Sequence, residues 1–179
     1  SETRIMTVYI NGIKVAQQEI GNINNDNPEE INIGGDGTNF FTGAVCDIRI
    51  YDTALKGEVV KTLLHDGYGS EFKKLDNTLN NQTQEPVLLD GLKVHYDGSV
   101  NGTTLLDKSG NKNNATLENG TTITASGGKF TSGIQFDGIN DQVNFFSGGI
   151  RDVFRNNFSI ALWIKFAGTS YSGIFGLYT

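Results

Sequence analysis

With 179 residues and 37% hydrophobic content, the chain suits one domain, or one and a fraction, with a substantial core. A net charge of −6 and one isolated basic pair, Lys73-Lys74, exclude a phosphate-binding surface, because nucleic-acid recognition needs clustered Lys and Arg. No apolar run approaches the ~20 residues of a membrane-spanning helix. The single cysteine, Cys46, excludes an internal disulfide and a cysteine-based zinc site.

The first element is TVYINGIKVA (Thr7 to Ala16). Two short alternating runs flank Asn11-Gly12, a pair that takes φ > 0 at both central positions of a type I′ turn at little cost, so a β-hairpin is predicted. Strand signals follow in EEINIGG (29–35) and GAVCDIRIYD (43–52). In the latter, strict alternation puts Ala44, Cys46, Ile48 and Ile50 on one face, which makes Cys46 a buried, inert thiol. Leu55, Val59, Val60, Leu63 and Leu64 then recur at helical spacing, with Thr53 as the expected cap and Gly67 as the stop. Residues 68–86 are polar, end at Pro86 and read as a linker.

A second strand-rich block begins with VLLDGLKVHYDG (87–98). Ser99 to Gly128 is Gly-, Asn- and Thr-rich and reads as loop. GIQFDG, QVNFF, FSIALWIKFAG and SGIFGLYT supply further strands. In FSIALWIKFAG, Phe158, Ile160, Leu162, Ile164 and Phe166 share one face, and Trp163 with Ala161 and Ala167 shares the other, read here as a second core surface. Many short strands with turn signals and one short helix predict an all-β, antiparallel β-sandwich, the helix following the strand at 43–52.

The residues also carry a family resemblance. GLKVHYDGSVNGTTLLDKSGNKNNATLENG, GKFTSGIQFDGINDQVNFF and NNFSIALWIKF resemble, in order, the first half of a laminin-G-like domain of the concanavalin A-like lectin/glucanase superfamily. TVYINGIKVA, INIGGDGTNFFTGAVCDIRIY and DTALKGEVVKTL resemble its second half. The resemblance implies a concanavalin A-like jelly roll and covers nearly everything but the linker. The halves stand in reverse order: residues 1–67 as the C-terminal half, 68–86 as linker and 87–179 as the N-terminal half. Roughly three or four strands of the family's middle lie between them in the family order and are absent here. An excerpt of a tandem array explains this and is the preferred expectation. A circular permutant closing one sandwich is the alternative, feasible because termini of such folds lie close together.

Retaining glucanases need two carboxylates about 5–5.5 Å apart, and the E-x-D-x-x-E strand of the resembled enzymes is absent. Glu29 and Glu30 are neighbours on opposite faces, and Asp137 and Asp141 flank a turn, so a non-catalytic module is expected. His65 and His95 join no catalytic arrangement. LLDKSGNKNN spaces Asp107, Ser109 and Asn111 alternately around Gly110, offering hard oxygen ligands for calcium, against the plainer reading of Asx turns. The resemblance carries a structural Ca2+ onto Asp97, Asp107 and Asp47. Aromatic side chains near polar loops that could meet a sugar are Phe41, Tyr68, Phe146 and Tyr171. In each pair, Phe40-Phe41 and Phe145-Phe146, an extended backbone sends one ring in and one out. Sequons stand at Asn81, Asn101, Asn114, Asn119 and Asn157.

The functional expectation is a laminin-G-like module of an extracellular, cell-surface or virion-associated protein that binds a glycan or protein partner, beside neighbouring copies of the same kind of domain. Its alternative is a purely structural spacer or minor coat element. The Asn-rich, acidic composition suits a large surface or capsid-associated protein.

Overall fold

The computed structural model describes residues 4–20, 30–35, 37–70, 89–129, 132–145, 150, 152–168 and 173–178. The expected hairpin forms from β1 (Arg4–Ile10) and β2 (Ile13–Ile20), with Asn11 at φ 50° and Gly12 at φ 72°. Both angles are those of the type I′ turn that Asn-Gly favours. The hairpin is a two-stranded sheet of its own. Ile10 pairs with Ile13 and Val8 with Ala16, and Met6, Val8, Ile10 and Ile13 are exposed.

The other strands are β3 (Glu30–Ile33), β4 (Thr42–Tyr51), β5 (Leu92–Asn101), β6 (Thr104–Asp107), β7 (Ala115–Glu118), β8 (Thr122–Thr124), β9 (Gly133–Asp137), β10 (Gln142–Asn144), β11 (Ser159–Phe166) and β12 (Phe175–Tyr178). They form one antiparallel array in the order β12-β3-β10-β7-β6-β5-β4-β9-β8, with β11 attached to β4. The two sequence blocks therefore interleave. β3 lies between β10 and β12, and β4 is surrounded by β5, β9 and β11. Strands from residues 1–67 and from residues 87–179 thus share one antiparallel sheet.

Strand β4 makes that connection. β11 runs along one whole edge, from Ser159↔Tyr51 to Phe166↔Gly43. The opposite edge is divided: Ile48–Tyr51 pairs with β5 and Thr42–Val45 pairs with β9. The division falls at Asp47, held at φ 52°, where the pairing with β11 also slips between Ala161 and Trp163. This is a β-bulge, which bends a strand and increases its twist. The array folds over there, so Ile31, Ile33 and Val143 from one arm meet Val45, Ile134 and Phe136 from the other in one buried cluster. Each fully buried aliphatic side chain contributes about 1.5–3 kcal/mol relative to exposure.

The bulge overturns the strict alternation expected of β4. An extra residue reverses side-chain parity, so Val45 joins Ile48 and Ile50 in the core, while Cys46 is displaced from that set. The cysteine is buried as expected, but against Lys129, whose backbone N–H lies 3.0 Å from Sγ. Trp163 is likewise absent from both core clusters, and its pairing with Cys46 places it on the outward face of β11. That face carries a satellite cluster in which Tyr51, Leu63 and Leu92 pack with Leu55, Val59 and Ala161.

Helix α1 (Gly57–Ser70) covers this satellite. It starts later and ends later than its sequence signals. Thr53 does not cap it: its carbonyl accepts from Ser159 Oγ, which also accepts the Leu55 N–H, while Val60 N–H bonds the Lys56 carbonyl. Gly67 does not stop it either, since glycine costs a helix only about 1 kcal/mol. Tyr68 is therefore helical, and the rest of the expected linker, from 71 on, lies outside the described residues. The loop expected between Ser99 and Gly128 contains β6, β7 and β8, and a 3₁₀ turn over Asp152–Arg155 buries Val153 and Phe154.

Gly43 lets β4 approach β11 closely: at φ 145°, a β-carbon there would lie 2.2 Å from the Lys165 carbonyl oxygen. Gly43→Ala is expected to destabilise the protein by about 3 kcal/mol, the upper end of ordinary point mutations. Gly110→Ala, at φ 90° but with open space around it, meets the backbone strain without the clash and should cost less. Urea unfolding of the two variants measures the difference.

Candidate functional site: a charged bulge beneath an apolar cleft

The outward face of β4 carries a buried ionic cluster. After the bulge, Arg49 sits opposite Ala161 on β11 and opposite His95 on β5. Arg49 Nε donates to Asp47 Oδ1 at 3.0 Å and its Nη2 to Oδ2 at 3.2 Å. His95 Nε2 stands 2.9 Å from Oδ1. An ionised carboxylate only accepts, so the His95 proton is on Nε2. Arg49 and His95 are 1% exposed and Asp47 7%, so the charges have left water and must be compensated by one another. Burial by itself would raise the Asp47 pKa. The His95 hydrogen bond and the Arg49 charge outweigh it and hold the carboxyl below its ordinary 3.8. Tyr51, next on this face, is pushed up to about 12, chiefly by burial.

Above this floor lies a cleft of about 600 Å³. Residues 4–9 of β1 form its roof, and Leu55, Val60, Leu63 and Leu64 form the wall on the α1 side. Asp47, Arg49, Ala161 and Trp163 reach it from the strands below, and Asn156 and Asn157 from the approach to β11. The hairpin is set by its tip, where a β-carbon on Gly12 would lie 3.1 Å from Leu64 Cδ2. At its other end Arg4 Nη2 donates to the Arg155 carbonyl at 2.8 Å. The Lys129 ammonium lies 5.4 Å from the Trp163 ring centroid, a cation–π distance.

The loop singled out for calcium is sewn to β5. Asp107 Oδ1 accepts the N–H groups of His95 and Ser109, each at 2.9 Å, and Oδ2 accepts the Asn113 N–H at 2.9 Å. The Ser109 hydroxyl, with one proton to give, lies 2.8 Å from Oδ2 and 3.0 Å from the Lys93 carbonyl. Asn111 Nδ2 donates to the Leu92 carbonyl and Asn113 Nδ2 to that of Lys93. Asp97 Oδ1 accepts the Ser99 N–H at 2.8 Å. These are Asx-type bonds. Asp107, Ser109 and Asn111 come together, Asp47 stands apart beside Arg49, and among the described residues no three His, Cys, Asp or Glu form a metal group. Calcium needs several outward oxygens, whereas the oxygens of Asp107 face protein donors and Asp47 faces a guanidinium. These oxygens are engaged in internal hydrogen bonds.

Of the aromatic residues singled out for a sugar, Phe41 is the inward ring of its pair. It is 1% exposed, with its centroid 5.8 Å from that of Phe136 and 6.0 Å from that of Phe166, so it offers no face to a ligand. Phe145 is buried against Tyr96 and Phe175. Phe146 and Tyr171 lie outside the described residues, and Tyr68 sits on α1 rather than in a loop. The cleft brings together others that sequence reasoning passed over: Arg4, Tyr9, Arg49 and Trp163. Their common signal is visible only once the bulge is known. Of the sequons, Asn101, Asn114 and Asn119 are exposed, and Asn157 is exposed at the cleft.

With this geometry in place, the comparisons bear on β1 to β4 and the start of α1. Residues 1–61 match the family model described as Concanavalin A-like lectin/glucanases superfamily, a laminin-G family. The match covers about a third of the chain and is a similarity of that part. No curated protein and no solved structure matches the chain. The antiparallel sandwich is the all-β fold that the resemblance implies, and no helix among the described residues is long and apolar enough to cross a membrane.

Two outcomes test this electrostatic reading. Asp47→Asn removes the carboxylate that faces the buried Arg49 guanidinium and is expected to cost about 3–5 kcal/mol in urea unfolding. The folded pKa lies below 3.8, so the stabilisation is complete above that value and disappears as pH falls through the lower folded one. The difference between wild type and variant should therefore shrink on acidification below about pH 4. Asp107→Asn should lower the melting temperature equally in millimolar calcium and in EGTA, a calcium-dependent difference being the contrary result.

Proposed function

We propose that the protein is a non-catalytic, laminin-G-like binding module of an extracellular, cell-surface or virion-associated protein, taking its partner in the cleft between β1, α1 and the β4–β11 face. The observation that carries this reading is the cleft itself. A concave, predominantly apolar space with a few polar groups converging on it is the usual form of a ligand site, and about 600 Å³ lies within the range such sites occupy. The rings of Tyr9 and Trp163 and the side chains of Asn156 and Asn157 are among its lining, the combination of stacking surface and hydrogen-bonding groups that a glycan or a protein side chain would use.

A non-catalytic role is supported by the acid inventory of the cleft. Asp47 is the one carboxylate among the described residues that line it, and it is committed to Arg49 and His95. Glycoside hydrolysis by the usual route needs two carboxyl groups in complementary protonation states. The spacer alternative would leave the cleft without an occupant.

Chemical-shift mapping against a panel of glycans and short peptides distinguishes the two. Perturbations concentrated on Tyr9, Asn156 and the Trp163 indole are expected for at least one member. Trp163→Ala should then weaken that member by about tenfold or more. A panel that moves no cleft resonance favours the spacer.

A further inference from the structure

We propose that the cleft takes an extended polypeptide segment of a partner protein, which adds as a β-strand to the open edge of β11 and carries an acidic residue toward the Phe166 end. This rests on the reading of the cleft as the binding site and specifies its ligand.

The way each element meets the cleft separates faces from edges. β4 reaches it through Asp47 and Arg49, alternate residues of one strand face, and α1 through Val60, Leu63 and Leu64, one helical stripe. β1 and β11 are different: residues 4–9 and 158–164 line it without a gap. Successive side chains of a strand point to opposite faces. An unbroken run therefore shows the strand side-on, with its backbone N–H and C=O groups toward the cleft. That is why Ile160 and Leu162 touch the cleft although their side chains pack on the main core. The pairing agrees. Among the described residues β4 is the single strand neighbour of β11, and β2 that of β1, so each strand keeps a second edge. An edge of eight residues is a template for another strand, and a hairpin of two strands is marginal until a further element covers it. Ile5, Val8 and Ile164 line the cleft and are exposed, so an added strand also removes apolar surface from water. A sugar or a lipid chain offers no regular row of amide groups to such an edge, whereas an extended peptide does. Charge sets the polarity of that peptide. Although the chain is net −6, two exposed lysines stand at one end of the cleft. Lys165 follows Trp163 on the same face of β11, and the Lys129 ammonium lies over the Trp163 ring. An acidic side chain of the incoming segment meets them there.

Trp163 is the sole tryptophan and lines the cleft, so its emission reports occupancy. The probe is a peptide of about seven alternating valine and threonine residues ending in glutamate, the length of an ordinary strand, kept below its aggregation limit. It is compared with forms N-methylated at alternate residues, in each of the two phases, and with a form ending in lysine. The parent peptide is expected to shift the emission saturably and to slow amide exchange along residues 158–164. An N-methylated form that loses the donors toward β11 keeps its side chains, yet should bind about tenfold more weakly. The lysine form should bind about threefold more weakly, a difference that Lys165→Glu narrows or removes. Equal binding of the parent and both N-methylated forms overturns strand addition while leaving the cleft a binding site. Equal binding of the glutamate and lysine forms by the wild type overturns the acidic preference. Protection of residues 158–164 that rises with protein concentration in the absence of peptide makes a second copy the occupant and overturns a separate partner. Silence with these peptides while a glycan moves the cleft resonances overturns this inference alone, and silence in both experiments removes the binding site itself.

Discussion

The bulge at Asp47 is the constraint on which the architecture turns. A strand of ten residues flanked by two partners on one edge and one on the other must change direction, and a single residue at positive φ lets it do so. Aspartate tolerates that conformation better than most residues. Its side chain is not idle, because it takes up the guanidinium of Arg49 two residues on. Without the bulge, Arg49 would stand where Ile48 and Ile50 stand, inside the apolar core. With it, the core keeps the isoleucines and the charged residue is moved to the face under α1 and the hairpin.

The ionic cluster and the loop at 107–114 are mechanically joined. His95 contributes its ring to Asp47 and its backbone N–H to Asp107, so a loop otherwise rich in glycine and asparagine fixes one corner of the buried cluster. Asp107 does by hydrogen bonding what an ion could do in a related loop: it collects several chain segments around one negative charge. The residue spacing that serves a cation and the spacing that serves an Asx turn are the same, since both need oxygens on a tight backbone curve. Spacing alone does not separate them; the direction of the N–H groups does.

Much of the fold was legible in the sequence because its signals are local. Asn11-Gly12 fixes a hairpin through two dihedral angles, and in β11 the first part of the alternation survives, with Ile160 and Leu162 on the core, while Ile164 and Phe166 are exposed. Two things were not legible. β6, β7 and β8 are three or four residues each, and their central burial is carried by isolated residues such as Leu105 and Ala115, too few for a period to show. The parity of β4 was lost because a bulge has no composition of its own. That one displacement sent Cys46 away from the isoleucines and onto the outward face, where it pairs with Trp163. Phe41, picked out as a ring for a ligand, is the buried one, because which ring of an extended pair faces inward depends on register, which pairing partners set.

The position of β4 also governs how the chain must assemble. Its three neighbours come from residues 92–101, 133–137 and 159–166, so the strand that closes the sandwich waits for segments roughly forty to a hundred and twenty residues downstream. Such non-local pairing places a protein among slow folders, on the order of milliseconds to seconds, because loop entropy is lost before the contacts return it. During that interval β4, rich in β-branched and aromatic side chains, has unpaired edges. The buried charges at its middle then act as gatekeepers: Asp47 and Arg49 interrupt the apolar run while it is still open to other chains.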